Sequence, residues 1–224
     1  MKESYIRNIP AISEAEQETL QNKAVAVIGC GGLGGYAIEY LARLGVGKII
    51  AVDGDVFAES NLNRQLLSTK ETLGQRKADV AIARINSINP DVEAVAINEY
   101  LTVNSAASLV KNVDLVIDAL DNVESRLILE DVCEQTGVTF IHGAVQGWNL
   151  QVSVVTPGSK ILHSLYKGTG STDTPESKTC LCPTTACCAA IQVAEAIKNL
   201  LGRESSLTGQ VLFMDLQTME SYII

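Results

Sequence analysis

Gly29-Cys30-Gly31-Gly32-Leu33-Gly34 decides the fold of this chain. It follows the apolar run Ala24-Val25-Ala26-Val27-Ile28 and leads into Leu33, Ala37, Tyr40, Leu41 and Leu44. Five consecutive apolar residues closed by a glycine read as a strand buried on both faces. Apolar residues three and four apart then read as a helix, which Gly45 stops. A second strand is read over 48–52, followed by Asp53. A strand, a glycine turn, a helix and a strand closing on an acidic residue form a nucleotide-binding unit. The glycines let a phosphate approach backbone N–H groups at the helix N-terminus, where the dipole favours an anion. The acidic residue is placed to accept hydrogen bonds from ribose hydroxyls.

The alternation continues outward from this unit. Residues 74–88 read as an amphipathic helix with Val80, Ile82, Ile85 and Ile88 inward, closed by Asn89-Pro90. Strands are expected over 92–97, 113–118 and 138–141, and helices over 104–111 and 122–136. Upstream, Ser13-Glu14-Ala15-Glu16 is a capping box opening a short helix to about residue 22. Residues 151–156 alternate less apolarly and start an antiparallel regime, completed by a closing hairpin at 210–215 and 220–224. Between them, 184–201 reads as a long helix. Residues 157–178 are rich in Gly, Ser, Thr, Asp and Pro; so long a stretch without periodicity is functional or disordered. Strands alternating with helices imply right-handed crossovers. The expected fold is α/β, a Rossmann-like doubly wound, mostly parallel sheet extended by antiparallel C-terminal strands. No repeat or linker divides it, so residues 1–224 are expected to form one domain with a helical arm at 1–22.

Composition narrows the function. The 224 residues are 46% hydrophobic and carry a formal charge of −9, from 26 Asp and Glu against 17 Lys and Arg. Such a chain can bury a sizeable core, and its acidity opposes an extended nucleic-acid-binding face. No apolar run reaches the roughly 18 residues of a membrane span, and residues 1–10 lack a secretory core. A cytoplasmic protein with reduced thiols is therefore expected, and a disulfide framework is the least favoured reading of its six cysteines.

The glycine turn alone does not separate a dinucleotide from ATP, and an NAD(P)-dependent oxidoreductase is the alternative reading. The residues downstream of the turn favour ATP. Ser60-Asn61-Leu62-Asn63-Arg64-Gln65 and Gly74-Gln75-Arg76-Lys77 place cations at the ligand edge of the sheet. An enzyme that expels pyrophosphate needs such cations, because charge accumulates on the leaving group. Asp121 comes after the fourth strand, where a carboxylate suits Mg²⁺ beside substrate phosphates. Singly, each has a plain structural reading: Arg64 and Lys77 as solvated surface, Asp121 as the N-cap of the next helix.

Together, Gly29–Gly34, Asp53, Ser60–Gln65, Gly74–Lys77 and Leu120-Asp121-Asn122 resemble the ThiF/MoeB/HesA family, relatives of the ubiquitin-activating enzymes. The resemblance extends to Tyr5-Ile6-Arg7-Asn8 and to Cys182-Pro183-Thr184-Thr185-Ala186. It implies an adenylyltransferase: ATP- and Mg²⁺-dependent adenylation of the C-terminal glycine carboxylate of a small ubiquitin-fold sulfur-carrier protein ending in Gly-Gly. The family context is the biosynthesis of sulfur-containing cofactors of the thiamin or molybdopterin type. By this resemblance Gly29, Gly31, Gly32 and Gly34 hold phosphates and Asp53 the ribose. Asn61, Arg64, Gln65 and Lys77 bind the triphosphate, and Asp121 holds Mg²⁺. Arg7 resembles an arginine that relatives supply in trans across a homodimer interface. Residues 157–182 correspond to a mobile crossover-type loop that leads the carrier tail inward. A non-protein carboxylate or a tRNA nucleoside stays open as the substrate, the latter opposed by the net charge.

The cysteines depart from the family pattern. Many relatives bind structural zinc through two Cys-x-x-Cys pairs, whereas this chain has Cys180-Leu181-Cys182 and Cys187-Cys188. That spacing suits a tetrahedral ion poorly, and no structural zinc is expected. Cys187 and Cys188 read as core filler in the first turn of the helix at 184, and Cys30 and Cys133 as structural. Cys180 and Cys182, on a loop before a helix N-terminus, are the candidates for a reactive thiol. His142 is expected to end the fifth strand as a hydrogen-bonded residue at the ligand edge.

Overall fold

The computed structural model describes residues 2–167 and 179–224. The parallel strands are β1 (Ala24–Ile28), β2 (Lys48–Val52), β3 (Glu93–Ile97), β4 (Leu115–Asp118) and β5 (Phe140–Gln146). Three antiparallel strands complete the set: β6 (Asn149–Val155), β7 (Val211–Asp215) and β8 (Glu220–Ile223). The eight form one sheet in the order β3-β2-β1-β4-β5-β6-β7-β8. The order reverses between β2-β1 and β4, the crevice where open α/β sheets bind ligands at the carboxyl ends of their strands.

The helices are α1 (Glu14–Leu20), α2 (Gly32–Leu44), α3 (Lys77–Ile88), α4 (Ala106–Leu109), α5 (Val123–Thr136), α6 (Ile161–Leu165) and α7 (Cys182–Leu200). They cover both faces of the sheet, and β1 shows why its sequence does not alternate. Val25 and Val27 join Leu41 of α2, Ile85 of α3 and Val193 of α7 in one core. Ala26 and Ile28 point the other way, into a second core with Leu109 of α4 and Leu129 of α5. Each such Val or Ile contributes about 1.5–3 kcal/mol on burial, so the run must be apolar at every position. Among the described residues no helix is long and apolar enough to cross a membrane.

Several boundaries differ from expectation for tertiary reasons. The helix expected from 74 begins at Lys77, because residues 74–76 pair with the strand-like segment before them. Gly74 N donates to Phe57 O, Phe57 N donates to Gln75 O, and Val56 bridges Arg76. The helix expected over 104–111 is the single turn α4. β5 runs on past 141 to Gln146 because β6 pairs with it along its whole length. His142 is therefore interior to the strand and fully buried, where a strand end was expected. Residues 161–165, within the aperiodic stretch, form α6; residues 168–178 of the loop expected to be mobile lie outside the described residues. α7 starts at Cys182, with Pro183 in its first turn. Cys187 and Cys188 thus lie beyond the first turn, a shift from the expected position. The arm at 1–22 comprises a 3-10 turn (Glu3–Asn8) and α1, whose capping box forms as expected between Ser13 and Glu16.

Candidate active site

The glycine turn joins β1 to α2. Gly29 has φ +101° and would place a Cβ 2.6 Å from Ala119 O, at the end of β4. A Cβ on Gly34 would lie 1.7 Å from Gly29 O. Only glycine satisfies either position. Gly31, the N-cap of α2, supplies no side-chain cap, so the first-turn N–H groups lack that partner. The neighbours of the turn are Gln65, whose Nε2 is 3.2 Å from a Cβ built on Gly31, and Thr185, whose Cγ2 is 3.0 Å from one built on Gly32. The result is a backbone cradle at the positive end of a 13-residue helix, suited to phosphate oxygens.

Gly34→Ala is expected to destabilise by about 1–3 kcal/mol or more, against a helix-propensity gain of at most ~1 kcal/mol. Gly35→Ala, whose Cβ would meet Leu67 at an ordinary 3.4 Å, is the control and stays neutral or gains slightly. Denaturant unfolding of the pair reads the difference.

Asp53 stands at the end of β2. Its Oδ2 accepts from Cys30 N and its Oδ1 from Asp55 N, each at 2.8 Å. The carboxylate thus fastens the glycine turn and still has lone pairs for a ribose. Lys77, 7% exposed, donates from Nζ to Asp55 Oδ2 at 3.0 Å. Asp55 also accepts from the Tyr100 hydroxyl. That hydrogen bond, and then Lys77, hold the Asp55 carboxyl below the usual range. Lys77 lies close enough to Cys30 to act on its thiol electrostatically, but burial dominates and pushes that thiol up. Lys77 is thus a buried, preoriented cation facing the turn, and solvated surface is the wrong description of it.

Residues 59–65 form the next wall. Asn61 Oδ1 accepts from Ala58 N at 2.9 Å, fixing the 3-10 turn Glu59–Asn61, and its amide nitrogen has no hydrogen-bond partner among the described residues. Arg64 Nη1 donates to Ser60 O and Asn63 Oδ1, which anchors one nitrogen of the guanidinium fork. Gln65 is 8% exposed, and its Oε1 has no hydrogen-bond partner among the described residues. The Gln65 atom nearest a Cβ built on Gly31 is the amide Nε2, which can donate to a phosphate oxygen in the cradle.

Asp121 lies just past β4. The cap of α5 is Asn122, whose Oδ1 accepts from Ser125 N at 2.8 Å. The Asp121 carboxylate is therefore not consumed as a cap. It is exposed and accepts only a 3.2 Å bond from Asn122 Nδ2 among the described residues. A single unengaged carboxylate matches what Mg²⁺ takes from a protein when phosphates fill the rest of its shell. Among the described residues no group of three or more His, Cys, Asp or Glu is arranged to hold a metal by itself.

Sequence reasoning missed the polar layer beneath this edge. Asp118 and His142 are both fully buried, with His142 Nδ1 donating to Asp118 Oδ2 at 2.7 Å. Gln192 of α7 donates to Asp118 O at 2.7 Å and Ile141 O at 3.1 Å, tying β4 to β5. His142 was expected to be hydrogen-bonded, but not its partner Asp118; Gln192 left a trace only as a polar residue in the apolar stripe of its helix.

The thiols divide. Cys188 is buried against Ala144 O and Gln151 O, and burial raises it out of reactive range, as burial also raises Cys187 and pushes Cys133 up to about 12. Cys180 Sγ lies 2.8 Å from Thr185 Oγ1, the threonine that faces Gly32. Cys182 Sγ lies 2.9 Å from Tyr36 OH of α2. The fold thus brings Cys180 and Cys182 to the glycine turn from the far end of the chain. It does not bring Arg7 there. Two residues before it, Tyr5 packs on Gly45 and receives a hydrogen bond from Asn89, both before the amino ends of β2 and β3. Arg7 is exposed at the opposite edge of the sheet from the glycine turn.

The sequence matches the ThiF family over residues 5–223. It is 35% identical to the SAMP-activating enzyme E1 of Haloferax volcanii, over 91% of this chain and 76% of that protein. Identity to the sulfur carrier protein adenylyltransferase of Thermus thermophilus is 32%, over 92% and 80%. Among solved structures, Escherichia coli MccB superposes with a TM-score of 0.87 at 19% identity, over 99% of this chain and 69% of that one, a likeness of fold.

Proposed function

The chain belongs to the ThiF family, and from that premise we propose that it adenylates the C-terminal glycine carboxylate of a small ubiquitin-fold sulfur-carrier protein, using ATP. The observation that carries the reading is the gathering at one sheet edge of an open glycine cradle, a buried lysine and an unengaged carboxylate. The carrier would end in Gly-Gly, and the activated product would feed the synthesis of a sulfur-containing cofactor of the thiamin or molybdopterin type. Residues 1–224 act as one adenylation domain in the cytoplasm.

The carrier carboxylate attacks the α-phosphorus in line. A carboxyl O–P bond forms, the bond from the α-phosphorus to the bridging oxygen breaks, and pyrophosphate leaves with that oxygen. No general base is needed, since a carboxylate is already ionised at neutral pH. Catalysis is positioning plus neutralisation of charge. Gly29, Gly31, Gly32 and Gly34 form the cradle, and Asp53 orients the ribose. Lys77 and Arg64 face the leaving phosphates, with Asn61 and Gln65 as donors beside them. Asp121 would hold Mg²⁺, which neutralises phosphate charge when bound. Arg7, remote from its own site, would serve the site of a second copy in a homodimer. Adenylation needs no thiol; where acyl transfer comes next, Cys180 or Cys182 would receive the acyl group.

The test is exchange of labelled pyrophosphate into ATP. Exchange that requires a carrier ending in Gly-Gly, and vanishes when that tail is removed, is the expected result. Exchange absent with every such carrier overturns the reading. Mass spectrometry of the same mixture distinguishes a carrier adenylate from a covalent adduct on Cys180 or Cys182.

A further inference from the structure

The turn that carries Asp121 is gripped at the peptide groups on both sides of Leu120. Leu120 N donates to Asp118 Oδ1 at 3.0 Å, and Leu120 O accepts from Arg126 Nη2 at 2.7 Å. The two gripping groups face each other, with Arg126 Nε 3.9 Å from Asp118 Oδ2. Each is set in turn by a buried layer. His142 of β5 holds Asp118 through Nδ1. Its Nε2 lies 3.0 Å from Gln151 Nε2 of β6, an amide donor, which assigns the neutral imidazole with its proton on Nδ1. Burial lowers the His142 pKa, against the opposing pull of Asp118, and agrees with that assignment. The Tyr166 hydroxyl, just past α6, closes the layer: it accepts from Gln151 Nε2 at 2.6 Å and from Arg126 Nη1 at 3.4 Å.

We propose that Tyr166 is a positioning residue for the Asp121 carboxylate, acting through Arg126 and the Leu120 peptide. The proposal rests on the reading of Asp121 as the Mg²⁺-binding group. Arg126 is 9% exposed, and its Nε has no hydrogen-bond partner among the described residues. Its orientation therefore depends on the Leu120 carbonyl, the Asp118 carboxylate and the Tyr166 hydroxyl. Removing the hydroxyl loosens one of the three, and the slack is passed to the one peptide that precedes Asp121. Outer-shell partners of this kind tune metal affinity without touching the ion.

The experiment is calorimetry of ATP binding in excess Mg²⁺ and in EDTA, on the wild type, Tyr166→Phe, Asp121→Ala and the double variant. In Tyr166→Phe the gain in affinity that Mg²⁺ confers falls about tenfold, while affinity in EDTA and thermal stability stay near wild type. In the Asp121→Ala background Tyr166→Phe changes nothing further, because both act on one carboxylate. Equal losses with and without Mg²⁺, or a full Mg²⁺ gain in Tyr166→Phe, overturn the positioning role. A full Mg²⁺ gain in Asp121→Ala instead overturns the reading of Asp121 itself, so the two failures are told apart. Should Tyr166→Phe fold poorly, Arg126→Lys is the second probe, with the same expected loss of Mg²⁺ gain.

Discussion

Asp121→Ala lowers carrier-dependent pyrophosphate exchange by about 10²–10³-fold, or about 3–4 kcal/mol of transition-state stabilisation. The proposed chemistry sets the size: charge would build on the departing phosphates, and on that reading the carboxylate would hold the ion that offsets it. The same change leaves the fold intact. The side chain is exposed, caps nothing, and has one 3.2 Å contact, so unfolding stability shifts by no more than about 0.5 kcal/mol. Activity lost with stability kept is the signature. Exchange at wild-type rate in a folded Asp121→Ala protein removes this residue from the mechanism.

Lys77→Ala has an effect of similar size for a different reason. The ammonium is buried, reaches Asp55 at 3.0 Å, and has two further donors for phosphate. Its loss removes a buried cation beside the glycine turn, and kcat/KM for ATP falls about 10²–10³-fold. Asp55 is half exposed and keeps its bond from Tyr100, so the stability cost is about 1 kcal/mol. Lys77→Arg does not restore the rate, because a planar fork cannot take the place of a point charge in so closed a position. Steady-state kinetics with thermal unfolding reads both. Recovery of more than a small fraction of activity in Lys77→Arg would mean that the site asks only for positive charge.

The doubly wound, mostly parallel sheet was legible because β1 and β2 carry their instruction locally: a short apolar run, then a glycine or an acid. The glycine turn was legible because the close approach of Gly34 to Gly29 O lies within six residues; the approach of Gly29 to Ala119 O is set only when β4 packs beside β1. Asn122 shows the limit. Asp and Asn are both good N-caps, and adjacent in sequence they compete; only the path of the chain after Ala119 decides that Asn122 caps and Asp121 stays free. Lys77 shows it again. A lysine at a helix start reads as surface, yet here it is buried, with its ammonium on Asp55, which Tyr100 holds from another segment.

Periodicity and backbone freedom are properties of neighbours along the chain, and they suffice for the doubly wound topology, the cradle and the residue types lining it. Packing had to add that His142 is a buried neutral acceptor within a strand, that Cys180 reaches the glycine turn through Thr185, and that Asp118, Arg126, Gln151 and Tyr166 form one layer beneath Asp121. Those side chains come from separate segments, each with an unremarkable local pattern. What makes them a unit is the cost of burying a polar group without a partner, a cost that exists only once the segments have packed.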